Sequence, residues 1–348
     1  MFPTKNLFLV TFLVMTAIMP ALAADSLQKT LPLLQKRRRT AAESHQVLTI
    51  FRTAKDPDTV FAAGASLVKT PPAKAQEPAL FNLLLRPTDP LKQTFAAVII
   101  TAMGQTHEEL LPILEQALTG QDPALRAYAA GAYAFIRPQE TAHSAEIVRL
   151  YIFDPAFALR AMNQTAQDAR AQTKILKEVS SSTDAQIRAA AAAWLGALHT
   201  PEGAKLLLKM AKTEKDSQVS AQIATGLAKN RSLTMKSVIK ELRRSPQSEQ
   251  SATYALALGF MTGNAADALR KGLEDKNANV RANSARAAAY MAGVLSNPDA
   301  FAYTSDRAFD ISLLKSLIPI LNLQAKTASG DEKIYAENAL RQIEKLME

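Results

Sequence analysis

The chain has 348 residues, 48% of them hydrophobic and 6% aromatic, with 12 Gly, no Cys and a formal net charge of +9. That apolar content can build a large core or a long buried strip, and so few rings and glycines argue against an all-β fold. The missing thiol excludes disulfides, thiol catalysis, Cys-bound zinc and a lipoprotein anchor.

Residues 1–23 hold Lys5, an apolar run from Leu7 to Met19, and then Pro20-Ala21-Leu22-Ala23. The run is too short to span a bilayer, and small residues at Ala21 and Ala23 fit peptidase cleavage before Ala24. The expectation is a cleaved secretory signal over 1–23 and a mature chain in a bacterial periplasm. Loss of Lys5 takes the charge from +9 to +8. Residues 24–55 read as an N-terminal helical cap whose buried side is Leu31, Leu34, Val47, Leu48 and Phe51.

From residue 56 the punctuation becomes regular. Asp56-Pro57, Asp89-Pro90, Asp122-Pro123, Asp154-Pro155, Asp184, Asp216, Ser245-Pro246 and Asp275 each precede an Ala-rich segment, at steps of 29 to 33 residues. Asp supplies an oxygen to the free N–H groups of a helix start, and Pro is tolerated in its first turn. The fullest segment is Asp184-Ala-Gln-Ile-Arg188, five alanines, Trp194-Leu-Gly196. Ala combines the best helix propensity with the smallest side chain, so such a helix is suited to close packing. A second apolar helix lies between successive starts; in 109–118 its apolar positions are 110, 111, 114, 117 and 118, one helical stripe. Each unit is therefore a helical hairpin too small to bury its apolar face alone, and neighbours must stack.

Residues 110–136 resemble a HEAT repeat: Leu-Leu-Pro-Ile-Leu, a polar turn, Asp-Pro-Ala-Leu-Arg, then an Ala-rich helix. The resemblance covers roughly 80–295. It implies an all-α fold, an α-solenoid of about eight HEAT-like hairpins with atypical caps at both ends. It also implies that Asp122/Arg126, Asp184/Arg188 and Asp275/Arg281 cap the second helix and contact the turn of a neighbouring repeat, and that the second helices line a concave surface. Tyr128, Tyr133, Tyr254 and Tyr290 lie on those helices and are expected half-buried with the hydroxyl in water. The array is read as 56–295. The irregular segment and C-terminal helical cap are read as 296–348.

No catalytic constellation emerges. His45, His107, His143 and His199 are scattered, and His107-Glu108-Glu109 lacks the second His of a metalloprotease helix. Ser-x-x-Lys at Ser26, Ser66, Ser237 and Ser312 lacks its companion motifs. The reading is a non-enzymatic binding protein without cofactor or metal. It would hold an envelope protein on a curved helical surface; the alternative is a carrier for an apolar lipid or sterol-like ligand.

Two candidate sites follow. Phe301, Tyr303 and Phe309 in the irregular segment, Leu313 and Leu317 on the helix after it, and Trp194 are candidates for an apolar ligand. Lys36-Arg37-Arg38-Arg39 forms one basic cluster. Lys205, Lys209, Lys212, Lys236, Lys240, Arg243 and Arg244 form a second, suited to an acidic partner or an anionic membrane surface. Without interleaved aromatics or a nuclear context, nucleic acid is not expected.

Overall fold

The computed structural model describes residues 24–36, 38–85, 89–244, 249–297 and 306–348. Among these there are nineteen α-helices and no strand. Contacts divide the chain into two compact units, one up to Ile175 and one from Leu176.

In the first unit α1 (Ala24–Leu34) precedes four hairpins. They are α2 (Ala41–Thr53) with α3 (Pro57–Lys69), α4 (Glu77–Leu84) with α5 (Pro90–Ala102), α6 (Leu111–Leu118) with α7 (Pro123–Ile136), and α8 (Ser144–Phe153) with α9 (Pro155–Thr165). α10 (Ala169–Val179) carries the boundary. The second unit holds α11 (Ala185–Leu198) and four more hairpins. These are α12 (Pro201–Thr213) with α13 (Ser217–Lys229), α14 (Arg231–Arg244) with α15 (Glu249–Phe260), α16 (Ala266–Leu273) with α17 (Ala278–Leu295), and α18 (Arg307–Thr327) with α19 (Gly330–Met347). Within each unit the second helices pack on one another in sequence, α3 to α9 and α11 to α19.

The repeated Asp does what its position predicts. Asp56, Asp89, Asp122, Asp154, Asp184 and Asp216 each accept a backbone N–H of the helix that follows, a contact worth about 1 kcal/mol per cap. Residues 245–248 lie outside the described residues. The last start needs correction. Asn277, not Asp275, caps α17, through Oδ1 to the Asn279 N–H at 2.9 Å, while Asp275 accepts the N–H of Asn277. With the cap at Asn277, Arg281 falls four residues on, the spacing of Asp122 to Arg126 and Asp184 to Arg188.

Those arginines tie hairpin to hairpin, but their turn contact is with their own turn and not a neighbour's. Arg126 donates to the carbonyls of Gly120 and Gln121, Arg188 to Ser182 and Thr183, and Arg281 to Asp275 and Lys276. The remaining guanidinium face reaches a carboxylate further along the chain: Glu146, Glu214 and Glu332 respectively. Orphan carbonyls at the turn need donors, and one Arg serves them and the next element together.

The small side chains of the second helices let backbones approach. Ala190, Ala191, Ala192 and Trp194 of α11 are fully buried. A Cβ on Gly196 would stand 2.6 Å from the Gly226 Cα, so α11 and α13 touch backbone to backbone there.

In the first unit the second helices curl until their inner faces meet. α3 contacts α9, three hairpins further on. Phe61 of α3 stacks edge-on against Phe95 of α5 at 5.1 Å and Tyr128 of α7 at 6.0 Å; Tyr128 in turn meets Phe157 of α9 at 6.4 Å. Tyr128 is therefore wholly buried rather than half-exposed, and its hydroxyl finds no hydrogen-bond partner among the described residues. Tyr254 is also buried, with its hydroxyl donating to the Leu208 carbonyl at 3.4 Å. Tyr133, likewise buried, donates to Glu140 at 2.7 Å.

Candidate binding faces

A second helix in a stack has hairpin partners on one side and neighbouring second helices on two more. Only its fourth side can face outward from the stack. In the second unit that side is read directly from the helix caps. Counting two, five, nine and thirteen residues past Asp184 gives Gln186, Ala189, Ala193 and Ala197, all at least partly exposed between buried neighbours. The same count past Asp216 gives Gln218, Ala221, Thr225 and Lys229, again at least partly exposed. Past Asn277, the ninth and thirteenth residues are Arg286 and Tyr290. At the corresponding positions Thr94 and Val98 of α5, Ala127 of α7 and Ala282 of α17 are buried, whereas Ala156, Leu159 and Asn163 of α9 are exposed.

Arg286 and Tyr290 are the chemically distinctive pair on this open face. The Arg286 Nε donates to the Tyr290 hydroxyl at 3.1 Å. Its guanidinium lies 5.7 Å from the Tyr290 ring centre and 5.0 Å from that of Tyr335 on α19. Tyr290 stands close because the facing residue is Gly259, where a Cβ would come within 2.8 Å of the Tyr290 Cβ. Two rings thus hold the planar cation by cation–π contact, and no ion pair among the described residues occupies it. The sequence placed Tyr290 on a second helix but gave no sign that Arg286 and Tyr335 would join it.

The candidate apolar residues are not assembled into one site by the described structure. Trp194 is fully buried in α11, a core position, and Leu313 and Leu317 are buried in the last hairpin. Phe309 is 54% exposed beside Gly263. Phe301 and Tyr303 lie outside the described residues. α18 keeps one side open, with Leu323 62% exposed while Leu314 and Leu321 are buried. Two concavities, of about 400 and 230 Å³, lie in the first unit. The larger is lined by Pro71, Pro72, Met103, Lys74, Gln105 and Arg160 among others.

The basic candidates divide into cations spent on the fold and cations exposed on helix faces. Of the first cluster, Arg39 is spent on the end of α3, donating to Ser66 and the Thr70 carbonyl, and Lys36 pairs with Glu43. Arg38 is exposed, and Arg37 lies outside the described residues. Of the second, Lys205, Lys209 and Lys212 stand on α12 and Lys236, Lys240, Arg243 and Arg244 on α14, all exposed. Among the described residues no group of three or more His, Asp or Glu is arranged to hold a metal ion.

No family model and no curated relative matches the chain. Among solved structures, the protein Kap121p bound to Pho4p aligns with 99% of this chain at 13% identity and a TM-score of 0.41. This chain spans 42% of the length of that one. The CpcE–CpcF complex of phycocyanin lyase from Nostoc sp. PCC7120 aligns with 67% of this chain and 94% of its own, at 19% identity and a TM-score of 0.27. The fold is a HEAT-like helical repeat. Its capped second helices, turn-binding arginines and stacked hairpins carry that description by themselves.

Proposed function

We propose that this is a non-catalytic, exported binding protein that holds a partner protein along the open face of its second unit. One observation carries the reading: the residues two, five, nine and thirteen past the caps of α11 and α13 are left at least partly exposed, and on α17 Arg286 is braced by Tyr290 and Tyr335. Gln, Thr and Ala along such a face offer hydrogen bonds and little bulk to a segment laid across it, and the guanidinium supplies a bidentate anchor for a carboxylate. Solenoids expose extended surfaces of this kind and work through them. The carrier reading has less support, because Trp194, Leu313 and Leu317 are buried core residues and rings meet between the second helices of the first unit. The leader-like sequence of 1–23 supports export to a periplasm, with a mature chain beginning at Ala24.

The test is site-specific photo-crosslinking in an exporting host. A crosslinker at Thr225 or Ala193 should give a defined protein adduct that disappears in Arg286→Ala. Adducts that form equally well from an outer-helix position such as Ser232, or that ignore Arg286→Ala, would sink the reading. N-terminal sequencing of the exported product checks the leader; an intact Met1 in the membrane fraction would contradict it.

A further inference from the structure

The exposed cations of the second unit are in register. Lys205, Lys209 and Lys212 of α12 recur 31 residues later as Lys236, Lys240 and Arg243 of α14. Spacings of four and three residues put each trio on one stripe of its helix. α12 and α14 pack side by side, so the stripes run as two rows separated by about one interhelical distance, roughly 8–10 Å, with about 5–6 Å between cations along each row. One step earlier in the chain the same positions hold Lys174, Glu178 and Ser181, and one step later Asp267, Lys271 and Glu274. The full rows therefore belong to these two helices alone.

Of the acids near the rows, two are committed elsewhere and two pair with the cations at the row ends. Glu214 is held by Arg188 at 2.8 and 3.0 Å and accepts the N–H groups of Lys215 and Asp216. Asp216 caps α13. Glu241 pairs with Lys212 at 3.3 Å, and Asp275 lies 3.8 Å from Arg243. Lys205, Lys209, Lys236 and Lys240 make no ion pair among the described residues. Leu233, at the start of α14, is 45% exposed beside them.

We propose that the outer face of α12 and α14 docks on an anionic phospholipid bilayer, leaving the partner-binding face of the unit free. Two parallel helices always share a tangent plane, so a flat sheet of headgroup phosphates meets both rows at once and needs no pocket. A protein partner would need a groove, and directly packed helices leave little of one. Five of the six cations are Lys, a mobile point charge suited to phosphates that rotate and exchange; a fixed carboxylate partner favours the Arg fork. Among the described residues no helix is long and apolar enough to cross a membrane, so the contact is peripheral. Near an anionic surface each cation contributes roughly a 5-fold gain in partition.

The experiment is co-sedimentation of the purified chain with phosphatidylcholine vesicles, with and without phosphatidylglycerol, across a salt series. Binding is expected only to the anionic vesicles and should weaken steeply with salt. Lys236→Glu/Lys240→Glu should lower the partition by at least about 25-fold, and Lys236→Gln/Lys240→Gln by less. Lys326→Glu/Lys345→Glu makes the same charge change on exposed positions of α18 and α19 and should bind nearly as the parent does. Circular dichroism checks that each variant keeps its helices. Equal losses in both Glu pairs would mean net charge alone drives binding and would overturn the proposal. So would a parent that ignores anionic vesicles but binds poly-glutamate in a Lys236-dependent way, which would assign the rows to an acidic protein. Crosslinks from Thr225 in the Lys236→Glu/Lys240→Glu variant report separately on the partner face.

Discussion

Arg281 grips Glu332 with two nitrogens, Nε to Oε1 at 2.6 Å and Nη2 to Oε2 at 2.8 Å, across 51 residues of chain. Arg188 holds Glu214 the same way, and Arg126 holds Glu146 through Nε. The last hairpin, which follows a break in the repeat rhythm, is thus fastened by the clamp used inside the array. Glu332→Ala leaves Arg281 bound to its own turn but half-satisfied, and the Glu332 side chain is only 8% exposed. The expected loss is about 1–3 kcal/mol in chemical denaturation, with proteolysis first appearing between α17 and α19. An unchanged midpoint and unchanged proteolysis would show that apolar packing alone holds the hairpin.

Glu214 makes the clamp pH-sensitive. Burial opposes its ionisation, but hydrogen bonds from Arg188 and from the Asp216 and Lys215 N–H groups outweigh burial and hold its carboxyl below the ordinary range. A depressed folded-state value means the clamp stabilises fully above the unfolded Glu value of about 4.3 and is lost as pH falls through the folded one. The Glu214→Gln variant should be less stable than the parent at neutral pH, with the difference shrinking as pH falls below about 4. Parallel stability curves from pH 7 to pH 3 would show that Glu214 does not titrate in the folded chain.

Asp154 should behave in the opposite sense. It is 1% exposed; its Oδ1 caps α9 while Oδ2 has no partner among the described residues. Burial pushes its carboxyl above the ordinary range, with the cap contacts and the charges of Lys69 and Arg160 offsetting only part. Between the unfolded value near 3.9 and the higher folded one, the folded state binds more protons, so stability falls as pH rises. The Asp154→Asn variant keeps a capping oxygen and loses the buried charge. It should be at least as stable as the parent at pH 7, and its advantage should fade in acid. A destabilised variant at pH 7 would mean the ionised carboxylate is favoured in the fold.

Gly196→Ala tests the closest backbone approach. Ala is the better helix former by about 1 kcal/mol, yet its Cβ would meet the Gly226 Cα, which no rotamer change relieves. A net loss of about 1–3 kcal/mol is expected. Ala190→Leu, at a fully buried position of the same helix, should cost a similar amount, while Lys209→Ala, on the exposed outer stripe, should stay within about 0.5 kcal/mol. Denaturation midpoints for the three decide it; a neutral Gly196→Ala would mean that α11 and α13 can slide apart.

The sequence by itself determined the hairpins and six of their starts, those at Asp56, Asp89, Asp122, Asp154, Asp184 and Asp216, because both rest on local chemistry. An Asp or Asn oxygen either meets the free N–H groups two or three residues on or it does not, and Pro beside it permits only a helix start. It determined the cationic stripes too, since helical spacing and a 31-residue step are visible in the chain. Curvature was settled only in three dimensions. The Ala-rich second helices read alike, yet α3, α5, α7 and α9 meet through Phe61, Phe95, Tyr128 and Phe157, while α11 and α13 keep a half-exposed stripe. That outcome depends on how ring volumes from helices three hairpins apart fill a shared space, a sum over distant side chains that no local pattern encodes. For the same reason Arg286 and Tyr335, 49 positions apart in the chain, become neighbours only when α17 and α19 pack.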